Sequence, residues 1–236
     1  MQITTSNRSQ SKIKLGIQGP SGSGKTYSAL QIAKGLAEEW SQIVVIDTEH
    51  HAANLYAHFG DYQVLPLAAP FTPERYMEAI SLCEASGFKV IILDSISHEW
   101  NGSGGILEIH GKMLGNSFTN WAKVSPRHNS FIERILQANC HVICTIRSKQ
   151  AYVLNLVGGK HVPEKVGLKG ITREGFDYEL TTLFELDMEH KARVTKDRTG
   201  LFLQPSEYTL SPRTGQRIKA WCEQTQTQPT PELAKT

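Results

Sequence analysis

Eight consecutive residues, Gly19-Pro20-Ser21-Gly22-Ser23-Gly24-Lys25-Thr26, constrain this chain more than any other part of it. They follow a short apolar run, Ile13 to Gln18, and open a stretch from Thr26 to Trp40 that sets Leu30, Ala33 and Ala37 at helical spacing. A glycine-rich turn between a strand and a helix lets the backbone curl so that successive N–H groups point inward. The helix that follows aims its free N–H groups and the positive end of its dipole at the same point. Such a turn cradles phosphate oxygens. Lys25 then reaches the outer phosphates as a point charge, Thr26 offers a hydroxyl ligand to Mg²⁺, and Tyr27 continues the nucleotide-binding stretch.

A second oxygen ligand is needed to hold the metal, and Val90-Ile91-Ile92-Leu93-Asp94 supplies it: four apolar residues ending in an acid at a strand tip. Asp94 is therefore assigned to Mg²⁺, through water, because Mg²⁺ keeps much of its hydration shell. The next residue is Ser95, so a general base must come from elsewhere. Val44-Val45-Ile46-Asp47-Thr48-Glu49 offers Glu49 just past another strand tip, where it either orients a water against the γ-phosphate or stands as a solvated loop carboxylate.

The rest of the chain reads as strands alternating with helices. Thr72-Pro73 is a helix start whose helix closes near Gly87, and Ser125-Pro126 repeats that chemistry for a second helix. Cys140 to Ile146 is a further strand, Thr182–Asp187 and Lys191–Thr195 form a hairpin around Met188-Glu189-His190, and Leu201–Leu203 is a short last strand. This order predicts an α/β fold with a mostly parallel sheet covered on both faces. Lys149 to Gly175 has no clear period and is expected to be a long loop.

Composition narrows the function classes. With 25 Lys and Arg against 23 Asp and Glu the formal charge is only +2, so any nucleic-acid surface must be local. The apolar runs are too short to span a bilayer, and Met1 to Ser11 lacks a secretory apolar stretch, so a cytoplasmic protein is expected. Cys83, Cys140, Cys144 and Cys222 form no metal-binding pattern and read as buried thiols.

Ile46-Asp47-Thr48-Glu49-His50, then Tyr56, resembles the corresponding stretch of RecA-type recombinases, as do Asp94-Ser95 and Val194-Thr195-Lys196-Asp197-Arg198-Thr199-Gly200. The match is closer still to short RecA-like ATPases of bacteriophages, grouped as AAA-family ATPases or single-strand annealing recombinases. It rests there on Arg147-Ser148-Lys149, Lys165-Val166-Gly167-Leu168 and Tyr178-Glu179. Where RecA has a sensing glutamine, this chain has Arg147. The resemblance implies a RecA-like P-loop ATPase core over residues 12–222 with a C-terminal β-hairpin, a flexible stretch at 1–11 and a disordered polar tail at 223–236. It implies ATP and Mg²⁺ as cofactors, Glu49 as the activator of water and Tyr56 on adenine. Lys196 and Arg198 become basic residues that reach a neighbouring subunit's ATP site, and hence imply a homo-oligomer or filament. The host cytoplasm is the expected location if a phage encodes the chain.

The same resemblance gives the segment from Arg147 to Arg173 a role. It holds six basic residues, Arg147, Lys149, Lys160, Lys165, Lys169 and Arg173, against the single acid Glu164, with Tyr152 available for base stacking. In RecA-like proteins the equivalent segment lies along single-stranded DNA. A solvated loop or an oligomer contact are the other readings. The expected function is ATP hydrolysis in single-stranded DNA recombination, annealing or repair, with a single-strand-binding protein as a further partner. The alternatives are a nucleotide-gated protein-binding module and a small-molecule kinase.

Overall fold

Four strands of this chain are buried on both faces, and that burial dictates the architecture. The computed structural model describes residues 11–157, 160–202 and 209–224. The elements in chain order are β1 (Lys14–Gly19), α1 (Lys25–Ala37), β2 (Ile43–Asp47), β3 (Gln63–Pro66), α2 (Pro73–Ala85), β4 (Val90–Asp94), α3 (Ser97–Asn101), α4 (Ile106–Gly111), α5 (Ser117–Gln137), β5 (His141–Val157), β6 (Lys160–Gly170), α6 (Phe176–Glu179), β7 (Thr182–Leu186), β8 (Ala192–Asp197) and α7 (Pro212–Glu223). The sheet runs β3-β2-β4-β5-β1-β7-β8, with β6 paired to β5 outside that path. All pairs from β3 to β7 are parallel, while β7–β8 and β5–β6 are antiparallel.

The alternation of side chains across each strand sorts the core into two layers. Leu15, Ile17, Val45, Ile92 and Ile143 pack on α1 and α7, whereas Val44, Ile46, Ile91, Leu93 and Cys144 pack beneath α2 and α5. Because both faces are covered, these strands read as continuous apolar runs. Thr72 caps α2 as the sequence predicts, its hydroxyl accepting from Arg75 N at 3.4 Å, with Pro73 as the first helical residue. All four cysteines are buried and free.

Three expectations are corrected. Ser125-Pro126 does not start a helix: α5 begins nine residues earlier at Ser117, capped by Asn116, whose Oδ1 accepts from Phe118 N at 2.8 Å, and Pro126 lies inside it. The lost backbone bond at Pro126 is offset by a long amphipathic face, on which Val124, His128, Phe131 and Ile135 are buried. Lys149–Gly175 is not a loop. β5 continues past the sheet to Val157 and pairs with β6 as a two-stranded ribbon. The pairing of β5 with β6 is made by the backbone, so it needs no hydrophobic alternation in the sequence. Leu201 and Phe202 lie in a turn rather than a strand, and Leu203 falls outside the described residues. So do residues 1–10 and 225–236, and with them most of the expected flexible start and polar tail.

Helix α7 closes one face by an unusually close approach to α1. A Cβ added to Gly35 would sit 2.0 Å from Pro212 O, and one added to Gly215 would sit 2.1 Å from Ile32 O. The two helix backbones touch there. Gly35→Ala gains roughly 0.5–1 kcal/mol of helix propensity but forces the helices apart, an overpacking cost of about 1–3 kcal/mol. The expected outcome is a lowered thermal midpoint for Gly35→Ala and for Gly215→Ala; an unchanged or raised midpoint would contradict this packing.

Candidate functional site

Parallel register brings the carboxyl ends of four strands into line. Gly19 pairs with Arg147 across β1 and β5, and Asp47 pairs with Asp94 across β2 and β4. A crevice at the strand carboxyl ends is where open α/β sheets bind ligands. Here it is a cavity of about 520 Å³ whose walls include Gly22, Lys25, Thr26, Glu49, Asp94 and Arg147.

Between β1 and α1 the chain turns through Gly22 and Gly24, both at φ +84°, a left-handed conformation that favours glycine. Gly24 is the N-cap of α1 and brings no side chain to it, so the first N–H groups of the helix remain open to a ligand. Lys25 is almost buried, and its ammonium donates to Pro20 O at 2.7 Å. Burial lowers its pKa although the Asp94 and Glu49 carboxylates pull the other way. The Ser23 hydroxyl is buried without a hydrogen-bond partner among the described residues. Inward N–H groups, a desolvated ammonium and an orphaned hydroxyl make a receptor for an anion.

Asp94 is 2% exposed at the tip of β4. Thr26 Oγ1 donates to its Oδ2 at 2.6 Å and Thr145 Oγ1 to its Oδ1 at 2.5 Å. Burial pushes this carboxyl above its ordinary range; the hydrogen bonds from Thr145 and Thr26 oppose the shift, and the Glu49 and Asp47 charges add to it. A hydroxyl and a buried carboxylate in contact are hard oxygen donors of the kind Mg²⁺ takes. The pair assigned to the metal from sequence is therefore together.

Glu49 lines the same cavity, half-buried and held by partners rather than free in solvent. Arg147 grips it with both arms of its guanidinium, Nε donating to Oε1 at 2.7 Å and Nη2 to Oε2, and Ser95 Oγ donates to Oε1 at 3.1 Å. Burial would raise the Glu49 pKa; the Arg147 hydrogen bonds and charge outweigh it and hold the carboxyl below the usual range. Behind it, Thr48 Oγ1 accepts from Ser95 N at 2.9 Å and contacts His98 Nδ1 at 2.8 Å. Asp47 serves the backbone, accepting from Glu49 N at 2.7 Å and Ala53 N at 3.1 Å.

Tyr56 and Tyr27 stand at one end of the same cavity, with ring centroids 6.1 Å apart, and Tyr56 stacks on Phe59 at 5.7 Å. The Tyr27 and Tyr56 rings, with Phe59 packed against both, offer an aromatic surface that suits a flat heterocycle.

A family model described as an AAA domain matches residues 11–220. The chain belongs to the AAA domain family. No curated protein sequence matches it. It therefore contains a P-loop ATPase-like domain, of a family whose members generally bind and hydrolyse ATP. No helix among its described residues is long and apolar enough to cross a membrane.

The other sequence-assigned residues of this AAA-domain chain do not line the cleft. Lys196 Nζ donates to Asp177 O at 2.8 Å and to Tyr178 O, and Arg198 Nη2 donates to Tyr178 O at 3.2 Å, all at the β8 edge of the sheet. Of the basic segment, Arg147 enters the cleft, Lys149 and Lys169 face each other across the ribbon, Tyr152 pairs in register with Lys165, and Lys160 begins β6. Lys169 forms an ion pair with Glu174, and Arg173 donates to Asn129 Oδ1 at 3.4 Å. Sequence reasoning missed the Glu49–Arg147 pair, the Ser95 and Thr145 contacts, and His190, which lines the cavity from the β7–β8 turn. Nothing in linear spacing links residues 98 positions apart. Among the described residues no group of three or more His, Cys, Asp or Glu is placed to hold a metal.

A carboxylate kept buried for function costs the empty protein stability. Since its folded pKa is raised, the unfolded chain loses that proton first, and Asp94 destabilises the fold as pH rises past the ordinary carboxylate range. Asp94→Asn is expected to raise the thermal midpoint of the nucleotide-free protein at about pH 8, with the gap to wild type narrowing toward about pH 4. A lower midpoint for the variant at both pH values would contradict that assignment.

Proposed function

We propose that the protein is a Mg²⁺-dependent ATPase of the RecA-like kind, acting on single-stranded DNA in recombination, annealing or repair. The observation that carries the chemistry is the placing of the Asp94 and Glu49 carboxylates on the one cavity that also contains the glycine turn. Thr26 and Asp94 would hold Mg²⁺, which would supply positive charge to neutralise that developing on the phosphates. Lys25 leaves Pro20 O for the outer phosphates, Tyr56 and Tyr27 take the base, and Glu49 orients the attacking water.

Glu49 held by a guanidinium is a poor acceptor of a proton, so hydrolysis waits on release of Arg147. Arg147 is the last residue of β5 paired to β1, and the next residue, Ser148, opens the ribbon by pairing with Gly170. A ligand on the ribbon thus acts on the residue next to the clamp. The ribbon and its flank carry net +5, and Lys149 stands directly opposite Lys169. Glu174 offsets Lys169, and a polyanion laid along the ribbon engages the positive charge that remains. Single-stranded DNA laid along the ribbon draws Arg147 away and frees Glu49. Lys196 and Arg198 lie outside their own cleft and serve a neighbouring subunit's site in a homo-oligomer or filament, where a basic finger stabilises the transferring phosphoryl group.

Phosphate release measured against oligonucleotide and protein concentration tests this reading. Stimulation by single-stranded DNA, steeply weakened by salt, is expected; indifference to DNA favours the protein-binding module, and dependence on a small-molecule acceptor favours the kinase. Glu49→Gln is expected to lower the stimulated rate on the order of 10²-fold or more while ATP still binds. Arg147→Ala is expected to raise the rate without DNA and to shrink the stimulation. An Arg147→Ala protein that keeps the full wild-type stimulation would contradict the clamp.

A further inference from the structure

We propose that His190 is a nucleotide-contacting residue of this cleft, reaching a phosphate of the bound nucleoside polyphosphate within its own chain. The inference rests on the nucleotide-binding reading and adds a ligand that no motif marks.

The turn between β7 and β8 is held by Asp187, whose Oδ1 accepts from Glu189 N at 2.9 Å and Lys191 N at 2.8 Å. His190 follows at φ +62°, a left-handed conformation uncommon for a residue with a side chain. That conformation lays its ring on the phosphate turn. The ring Nδ1 lies 3.1 Å from the point a Cβ on Gly24 would occupy, and Met188 Cε lies 3.7 Å from the equivalent point on Gly22. The hairpin turn thus covers the two left-handed glycines, and His190 shares the cavity wall with Lys25 and Thr26. Among the described residues its ring nitrogens make no hydrogen bond, whereas the backbone N–H groups of Asp187, Glu189, His190 and Lys191 are all engaged. An imidazole N–H on that wall is a spare donor facing the space where phosphate oxygens gather, and a hydrogen bond to a charged acceptor is among the stronger ones.

Fluorescent mant-ADP titrated into the full chain with Mg²⁺ provides the test, with His190→Asn and His190→Gln as variants. Asn tolerates the left-handed backbone, so the turn is kept while the ring is lost. The expected result is an affinity about tenfold weaker for His190→Asn, partly restored in His190→Gln, with nucleotide-free thermal midpoints unchanged. In wild type the imidazole resonances, identified by their absence from His190→Asn, are expected to move on saturation with ADP. Tight binding by wild type with unmoved resonances and an unaffected His190→Asn would overturn the proposal and leave the nucleotide reading intact. A lowered midpoint in His190→Asn, with no restoration by His190→Gln, would also overturn it by making the residue structural. Failure of wild type to bind mant-ADP would remove the nucleotide reading itself.

Discussion

Burying a carboxylate is costly unless its oxygens are satisfied, and in this protein two threonine hydroxyls satisfy Asp94 from opposite sides. Thr26 belongs to the first turn of α1 and Thr145 to β5, so one acidic side chain ties the phosphate turn, the tip of β4 and the neighbouring strand together. The tie works only because the parallel strands end in register, and the buried sheet holds those strand ends in place. Fold and site therefore rest on the same burial. On the proposed function, a cation bound beside Asp94 offsets the cost of holding that charge.

The second feature is economy of connection. One strand, β5, brings Thr145 to Asp94 and Arg147 to Glu49, then leaves the sheet as a basic ribbon. One hairpin, β7–β8, sets its turn on the phosphate loop and bears Lys196 and Arg198 at the far end of β8. Each connects the cleft to a distant surface through a continuous, hydrogen-bonded element, and an element that is rigid over its length can transmit a small displacement.

Much of this was legible in the linear chain. The glycine turn, both buried strand tips and the β7–β8 hairpin follow from periodicity and local backbone chemistry, and β2 and β4 run over the very residues expected. What escaped notice depended on tertiary placement. Pro126 looks like a helix start because its local chemistry is that of one, and only packing against α2 and the sheet explains a helix running through it. The ribbon hid because its runs carry no clear period, although Gly158-Gly159 between them is a hairpin signal. Arg147 gripping Glu49 could not be read at all, since the pairing is created by the approach of β5 to the loop after β2.

A crystal structure with Mg²⁺ and a non-hydrolysable ATP analogue, determined with and without a short single-stranded oligonucleotide, bears most directly on the central claim. The account predicts phosphates within the Gly19–Thr26 turn and the metal beside Thr26 and Asp94. It also predicts Glu49 turned toward the terminal phosphate once the oligonucleotide has drawn Arg147 aside. Analogue bound elsewhere, or Glu49 still locked to Arg147 in the DNA-bound form, would contradict it.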